Sequence, residues 1–241
     1  MTQPEIIYED EAILVCHKPA GVATQTKRLG QKDMESILKN YIVGKKRVEG
    51  STQPPYIGIV HRLDQPVEGV MVYAKTPQAA AKLTAQIKNR FVGKHYYALV
   101  QLPEGKHSME EIGLTEKGVL ENEIVFDAKK NISSITSQKT KNTKHALLNY
   151  EVVAQKGQKV LLDITLHTGR HHQIRVQMSH HGWPLVGDRK YGRKNESLPG
   201  MRSIPLALCS YRLEFLHPTS KKKMQFQITP KGQAFHLFSD L

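Results

Sequence analysis

The sequence predicts an α+β protein built on a mainly antiparallel sheet. Three observations point there. Strand-like segments outnumber helical ones, hairpin-like connections dominate, and no linker divides the 241 residues into two parts. A chain of that length can bury a sizeable core, and residues 1–241 read as a single domain.

The elements follow in order. Ile6-Ile7-Tyr8 and Ile13-Leu14-Val15 read as short strands around the turn Glu9-Asp10-Glu11, and Lys18-Pro19-Ala20-Gly21 breaks the pattern. From Asp33 to Val43 the apolar residues Ile37, Leu38, Tyr41 and Ile42 fall at helical spacing, with Asp33 placed to cap. Tyr56 to Val60 and Gly69 to Ala74 are β-rich segments flanking a polar connection. Thr76-Pro77 is a cap followed by proline at the first helical position, and the helix it starts should end near Gly93. His95 to Leu102 reads as a strand, and the polar stretch from Lys129 to Lys144 as an exposed loop or irregular hairpin. Leu147 to Val153 and Lys159 to Leu166 alternate like an antiparallel pair. His172 to His180 fits either period: Ile174, Val176 and Met178 alternate, whereas Ile174 with Met178 and the stop signals Gly182 and Pro184 suit a helix. Ile204 to Ile228 holds at least two more strands.

Composition narrows the function classes. The chain is 39% hydrophobic and 24% charged, and its apolar runs are short, far below the roughly 20 residues that span a bilayer. The acidic start, with Glu5, Glu9, Asp10 and Glu11, is no signal peptide. Two cysteines, Cys16 and Cys209, make no disulfide framework, so a reducing cytoplasm is the natural setting, with a monomer as the default state. Cys16 beside His17 reads better as a small apolar filler than as a nucleophile. The net charge of +13 suits an anionic partner, nucleic acid being the commonest. A solvated basic surface is the competing reading. The 12 histidines include His167 and His171 at i, i+4 spacing, but no neighbouring cysteine pair or carboxylate motif supports a metal site, and none is expected. Lys221-Lys222-Lys223 reads as a solvated hairpin turn in preference to a phosphate grip.

Chemistry enters at His61-Arg62-Leu63-Asp64, which follows the strand Ile57-Gly58-Ile59-Val60. An aspartate there suits a nucleophile, a general base or a metal ligand, and equally half of an ion pair with Arg62. Other segments decide between them. Lys18-Pro19-Ala20-Gly21, the HRLD segment with Gly69 and Ala74-Lys75-Thr76, Lys94-His95-Tyr96-Tyr97-Ala98, and Thr168-Gly169-Arg170-His171-His172-Gln173-Ile174-Arg175 running on to Gly187-Asp188-Arg189-Lys190-Tyr191-Gly192 occur in that order. In order, spacing and content the chain resembles the RluA-type pseudouridine synthase family from about Ile6 to the C-terminal strands.

The resemblance implies isomerisation of uridines in ribosomal or transfer RNA. The catalytic aspartate falls on Asp64, the active-site tyrosine on Tyr96 in place of its neighbour Tyr97, and the basic residue that pairs with the aspartate on Arg175. Arg62 matches the arginine that fills the space left by the extruded base, and His61, Arg170 and Gln173 complete the RNA-contacting set. These roles make physical sense. The target base must be flipped out at a cost of a few kcal/mol, and a stacked guanidinium offsets part of it. A carboxylate in a dry pocket tends to protonate, and a charge-assisted pair keeps it ionised. Asp64 starts the reaction either by attacking the sugar or by taking a sugar proton, and Tyr96 accepts or relays the proton leaving C5. No redox step or hydrolysis occurs, so the resemblance implies no cofactor.

Two departures qualify the match. Val67-Glu68-Gly69 stands where the family usually has Thr-Ser-Gly, which removes two hydroxyls and adds a negative charge near the RNA. No S4-type RNA-binding module precedes Ile6, so the catalytic domain should find RNA with its own basic surface. The rival reading from another class is an RNA-binding protein that kept the fold and lost the chemistry, for which Val67-Glu68 is the only support. A hydrolase or nuclease using Asp64 and His61 is a third reading, and it would cleave RNA.

Overall fold

The computed structural model describes residues 4–26, 30–48, 54–192 and 204–238. In chain order the elements are β1 (Glu5–Glu9), β2 (Ile13–Lys18), α1 (Met34–Val48), β3 (Gly58–Ile59), β4 (Glu68–Ala74), α2 (Pro77–Lys88), β5 (Gly93–Gln101) and β6 (Lys117–Asp127). They continue with β7 (Ile132–Thr136), β8 (Lys144–Lys156), β9 (Lys159–Leu166), α3 (Gln173–His180), β10 (Leu208–Leu216) and β11 (Lys223–Gln227). The chain forms two compact units, one of residues 1–93 and 210–229, the other of residues 94–209 and 230–241.

In the first unit the strands run in the order β1-β2-β4-β10, with β3 beside β4 and β11 beside β10. The ladders β1/β2, β2/β4, β3/β4 and β10/β11 are antiparallel. β2 and β4 are buried along their whole length, which explains why the stretches Ile13–Cys16 and Val70–Ala74 are apolar on both faces with no alternation. Ile13, Val15, Val70 and Val72 pack there with Leu83 of α2 and with Leu213 and Phe215 of β10. α1 starts where its cap predicts: Ser36 donates its N–H to Asp33 Oδ1 at 2.8 Å and its hydroxyl accepts from Asp33 N at 3.1 Å. It turns Met34, Leu38 and Ile42 inward. α2 is capped by Thr76 Oγ1, which accepts from Ala79 N at 3.1 Å. It stops at Lys88, short of Gly93, because Asn89 caps it and Arg90 takes a left-handed φ of 61°. Lys221, at a left-handed φ of 61°, and Lys222 lie in the exposed connection between β10 and β11, whereas Lys223 is already the first residue of β11.

In the second unit the order is β5-β9-β8-β6-β7, and each ladder is antiparallel. The polar stretch from Lys129 to Lys144 is the irregular hairpin, and it contains β7. β6 carried no clear sequence signal. Its inward positions are Leu120, Asn122 and Ile124, and the polar Asn122 masks the alternation by accepting from buried Gln177 Nε2 at 2.8 Å. His172 to His180 resolves as a helix. α3 is buried from Gln173 to Met178, so no polar face shows its period, and it ends at His181 ahead of Gly182 at φ 85°. Val176 of α3 packs on Ile124 and Ala146, with Ile135 and Tyr191 alongside.

Candidate active site

Asp64 lies between β3 and β4 in a turn closed by Val67 N–H donating to Asp64 O at 3.0 Å. Its neighbours are braced from several directions. Buried Thr24 receives Leu63 N–H at 3.2 Å and returns its hydroxyl to Leu63 O at 2.9 Å. Gly21 N donates to Gln65 O at 2.8 Å, and Gln65 Nε2 donates back to Gly21 O at 2.9 Å. The ammonium of Lys18, fully buried, donates to Pro19 O at 3.0 Å, Val22 O at 2.6 Å and Gln65 O at 3.2 Å. The Lys18-Pro19-Ala20-Gly21 turn and the Asp64 turn are therefore one braced structure. Burial pushes the Lys18 ammonium down to about 8, against the pull of the Asp64 and Glu68 carboxylates.

Asp64 itself is part-buried, and Arg62 is exposed. His61 turns inward, where its Nε2 accepts Val72 N–H at 3.1 Å and ties the turn to β4. Glu68 does not face solvent. It is 4% exposed, and its Oε2 lies 3.6 Å from His17 Nε2, while His17 Nδ1 lies 3.1 Å from Glu5 Oε2. Gly69 is required where it stands, at φ 153°, because a Cβ there would sit 2.5 Å from Ser210 Cβ. Cys16 is buried and its thiol is pushed up to about 12, chiefly by burial and further by Glu5, which leaves it the inert filler that the sequence predicts.

In the second unit Tyr96 is buried on β5 opposite Ile164 of β9, whereas Tyr97 next to it is only part-buried. Arg175, on the first turn of α3, grips Asp188 in a bidentate pair: Nε to Oδ2 and Nη2 to Oδ1, both 2.7 Å. Its guanidinium also lies 5.2 Å from the centre of the Tyr191 ring. Burial alone would raise the Asp188 carboxyl. The Arg175 guanidinium and the N–H groups of Tyr191 and Lys190 outweigh it and hold the carboxyl below the usual carboxylate range. One edge of the guanidinium is thus fixed in direction by a buried anion.

Gln173 is a brace within its own loop. Its Oε1 accepts from Thr168 Oγ1 at 2.8 Å and from Arg170 N at 3.0 Å, and its Nε2 donates to Leu147 O at 3.2 Å. Arg170 Nε donates to His145 O at 2.7 Å. Lys94 is lowered first by burial and then by the positive charge of Arg170, so two cations are held close together beside Gly169. His172 is pushed down to about 3 by burial, with Arg175, His171 and Lys190 adding to the effect, so the ring is neutral near pH 7. Its Nδ1 lies 2.8 Å from Tyr191 Oη.

Sequence reasoning gave no role to Lys18, Thr24, His17 or Asp188. Lys18 and Asp188 lie in segments that already carried the resemblance, so the signal was present without a partner to interpret it. Thr24 and His17 had none. Among the described residues no group of three or more His, Cys, Asp or Glu stands together to hold a metal ion.

A family model described as RNA pseudouridylate synthase matches residues 12–180. The chain is 34% identical over 232 residues to an uncharacterized RNA pseudouridine synthase of Aquifex aeolicus, covering 92% of the chain and 68% of that protein. It is 35% identical over 242 residues to ribosomal large subunit pseudouridine synthase D of Pseudomonas aeruginosa, covering 92% of the chain and 67% of that protein. In fold it is similar to human RNA pseudouridylate synthase domain containing 4, with a TM-score of 0.71 over 94% of the chain and 89% of that structure. At 24% identity this last likeness concerns the fold alone.

Proposed function

Because the chain belongs to the RNA pseudouridylate synthase family, whose reaction turns uridine into pseudouridine within RNA, we propose that Asp64 is the residue on which the isomerisation depends. The N1–C1′ bond breaks, the uracil turns, C5 bonds to C1′, and the proton on C5 leaves while N1 takes one up. Atoms balance without an oxidant, a hydrolytic water or a phosphoryl donor. The Asp64 carboxylate starts the sequence, by attack on the sugar or by removal of a sugar proton. Tyr96 accepts or relays the C5 proton, which a phenol with an ordinary pKa of about 10 does only with help from its surroundings. Arg175 supplies the positive charge that keeps a carboxylate ionised in a dry pocket. Arg62 fills the position vacated by the flipped base, a role its exposure allows.

The observation that carries the assignment is the bracing of the Asp64 turn by a buried ammonium and by Thr24. A surface ion pair needs no such framework, and a group that must meet a reacting atom does. His61 and Gln173 serve RNA binding by shaping the Asp64 and Arg170 loops, and Arg170 with Lys94 offers charge to phosphate. The substrate is structured ribosomal or transfer RNA, and the ribosomal-subunit relatives support the first. The chain works as one catalytic domain, a cytoplasmic monomer. A single family model that runs across residues 12–180, and so through both compact units, supports the single domain, and no described helix is long and apolar enough to cross a membrane. The silent RNA-binding reading loses its only support, because Glu68 is buried among His17 and Lys18 and presents no charge to RNA.

The test is chemical mapping of pseudouridine in RNA from cells carrying the wild-type gene, a deletion, or Asp64→Ala. One or a few positions are expected to lose modification in the last two strains. Retention of every site at the normal level in the Asp64→Ala strain would overturn the assignment, whether or not the deletion strain loses any.

A further inference from the structure

The tip of the β6–β7 hairpin carries a group that the reaction does not use. Phe126, the penultimate residue of β6, is 45% exposed, and its ring centre lies 4.1 Å from that of His171 at 44°. Phe126 faces Ser133 across the ladder, so both side chains lie on one side of the hairpin. Ser133 holds His171 twice: its Oγ lies 3.0 Å from His171 Nδ1 and donates to His171 O at 2.7 Å. Behind His171, at 3.7 Å between ring centres, is the buried ring of His172, itself tied to Tyr191. An exposed aromatic is thus backed by two imidazoles that cannot swing away.

Basic residues belong to the same hairpin tip. The turn after Phe126 carries exposed Lys129 and Lys130, whose N–H groups are fixed on Asp127 Oδ1 at 2.9 and 3.1 Å. Lys190 Nζ is anchored on Asn131 O at 2.8 Å. Ile132, the other exposed large apolar side chain of this hairpin tip, pairs with Asp127 and so lies on the opposite face, which leaves Phe126 alone on its own. A single exposed ring is too small a patch for a stable protein interface, which needs roughly 800 Å² per partner. It matches a nucleotide, whose flat base stacks on the ring while its phosphate meets the ammonium groups of the adjoining turn.

We propose that Phe126, backed by His171, is a stacking platform for one unpaired base of the bound RNA, separate from the uridine that reacts. The proposal rests on RNA being the ligand and does not require Asp64 to be the catalyst. One consequence is a preference for substrates with an unpaired base near the target, which makes the hairpin tip a specificity element.

The experiment compares binding of an eight-nucleotide oligoadenylate with that of the same oligomer made largely abasic. Wild-type protein, Phe126→Leu, Phe126→Tyr and His171→Ala are each measured by fluorescence anisotropy. Leucine keeps an apolar side chain, smaller than phenylalanine, at this exposed site and removes the π face, and thermal unfolding checks that the fold is preserved. Wild type and Phe126→Tyr are expected to prefer the base-bearing oligomer by about tenfold, the scale of one base–aromatic stack. Phe126→Leu should lose most of that preference and His171→Ala part of it, with the salt dependence unchanged because no phosphate contact is lost. Equal binding of both oligomers by wild type, or a full preference retained in Phe126→Leu, would defeat the platform; the latter marks a generic apolar contact such as a protein partner would use. Wild type is also assayed for pseudouridine formation on RNA from the deletion strain. A base preference without product would leave the platform standing and remove the catalytic reading.

Discussion

The ammonium of Lys18 donates to the carbonyl of Gln65, 47 residues further along the chain, at 3.2 Å, and so locks the turn that presents Asp64. Burial holds this ammonium near 8 instead of 10.5, with Asp64 and Glu68 opposing the shift. The sign of the pH effect follows. Between about pH 8 and 10.5 the unfolded chain holds a proton that the folded chain has lost, so stability from this group rises with pH across that window. Measured against Lys18→Met, wild type should gain about 3 kcal/mol over it. Turnover should move the other way, falling as pH passes about 8, because the turn loses its charged brace. Unfolding titrations at stepped pH and a rate–pH profile check both, and a pH-independent difference in stability would show that Lys18 does not titrate there.

Asp188→Asn should uncouple Arg175. Removing one partner of a buried bidentate pair leaves an uncompensated guanidinium and costs about 3 kcal/mol or more. The depressed Asp188 carboxyl contributes stability above its unfolded value, which is lost as pH falls through the folded one. The gap between wild type and Asp188→Asn is therefore expected to be full at pH 7 and to close below about pH 4. Urea unfolding of the pair at neutral and acid pH decides it; a gap that persists unchanged in acid would place the loss elsewhere.

Glu68→Gln is expected to shift the alkaline fall in turnover to lower pH. It removes a buried negative charge that favours the protonated form of Lys18. Glu68→Ser, which restores the family's usual hydroxyl, should do the same. An unmoved alkaline limb in both variants would mean that Glu68 has no influence on the Lys18 brace.

With a net charge of +13, affinity for RNA should fall by more than about tenfold between roughly 50 and 200 mM salt, as counterion release requires of an interface with several phosphate contacts. Anisotropy titrations at four salt concentrations give the slope. A flat dependence would argue against phosphate-led binding.

Much of this was legible in one dimension. Thr76-Pro77 and Asp33 start helices because capping is local, and each residue needs only its neighbours within a turn. Asp64 stood out because it sits in HRLD after a strand, with Tyr96, Arg170, Gln173 and Arg175 in further segments of matching order. Elements buried on every side were harder. α3 shows no face to solvent, and β6 hides a polar Asn122 inside, so neither displays a clean period.

The sequence by itself determined the family, the kind of chemistry that the family performs and the net positive charge, since these depend on composition and on order along the chain. Only the tertiary structure decided that Glu68 turns inward beside His17, that Arg175 takes Asp188 as a partner, and that the Lys18 ammonium ties the Asp64 turn. A charged side chain reaches several ångströms in any direction, and its partner is whichever group the fold buries within that reach. Sequence separation says nothing about which group that will be.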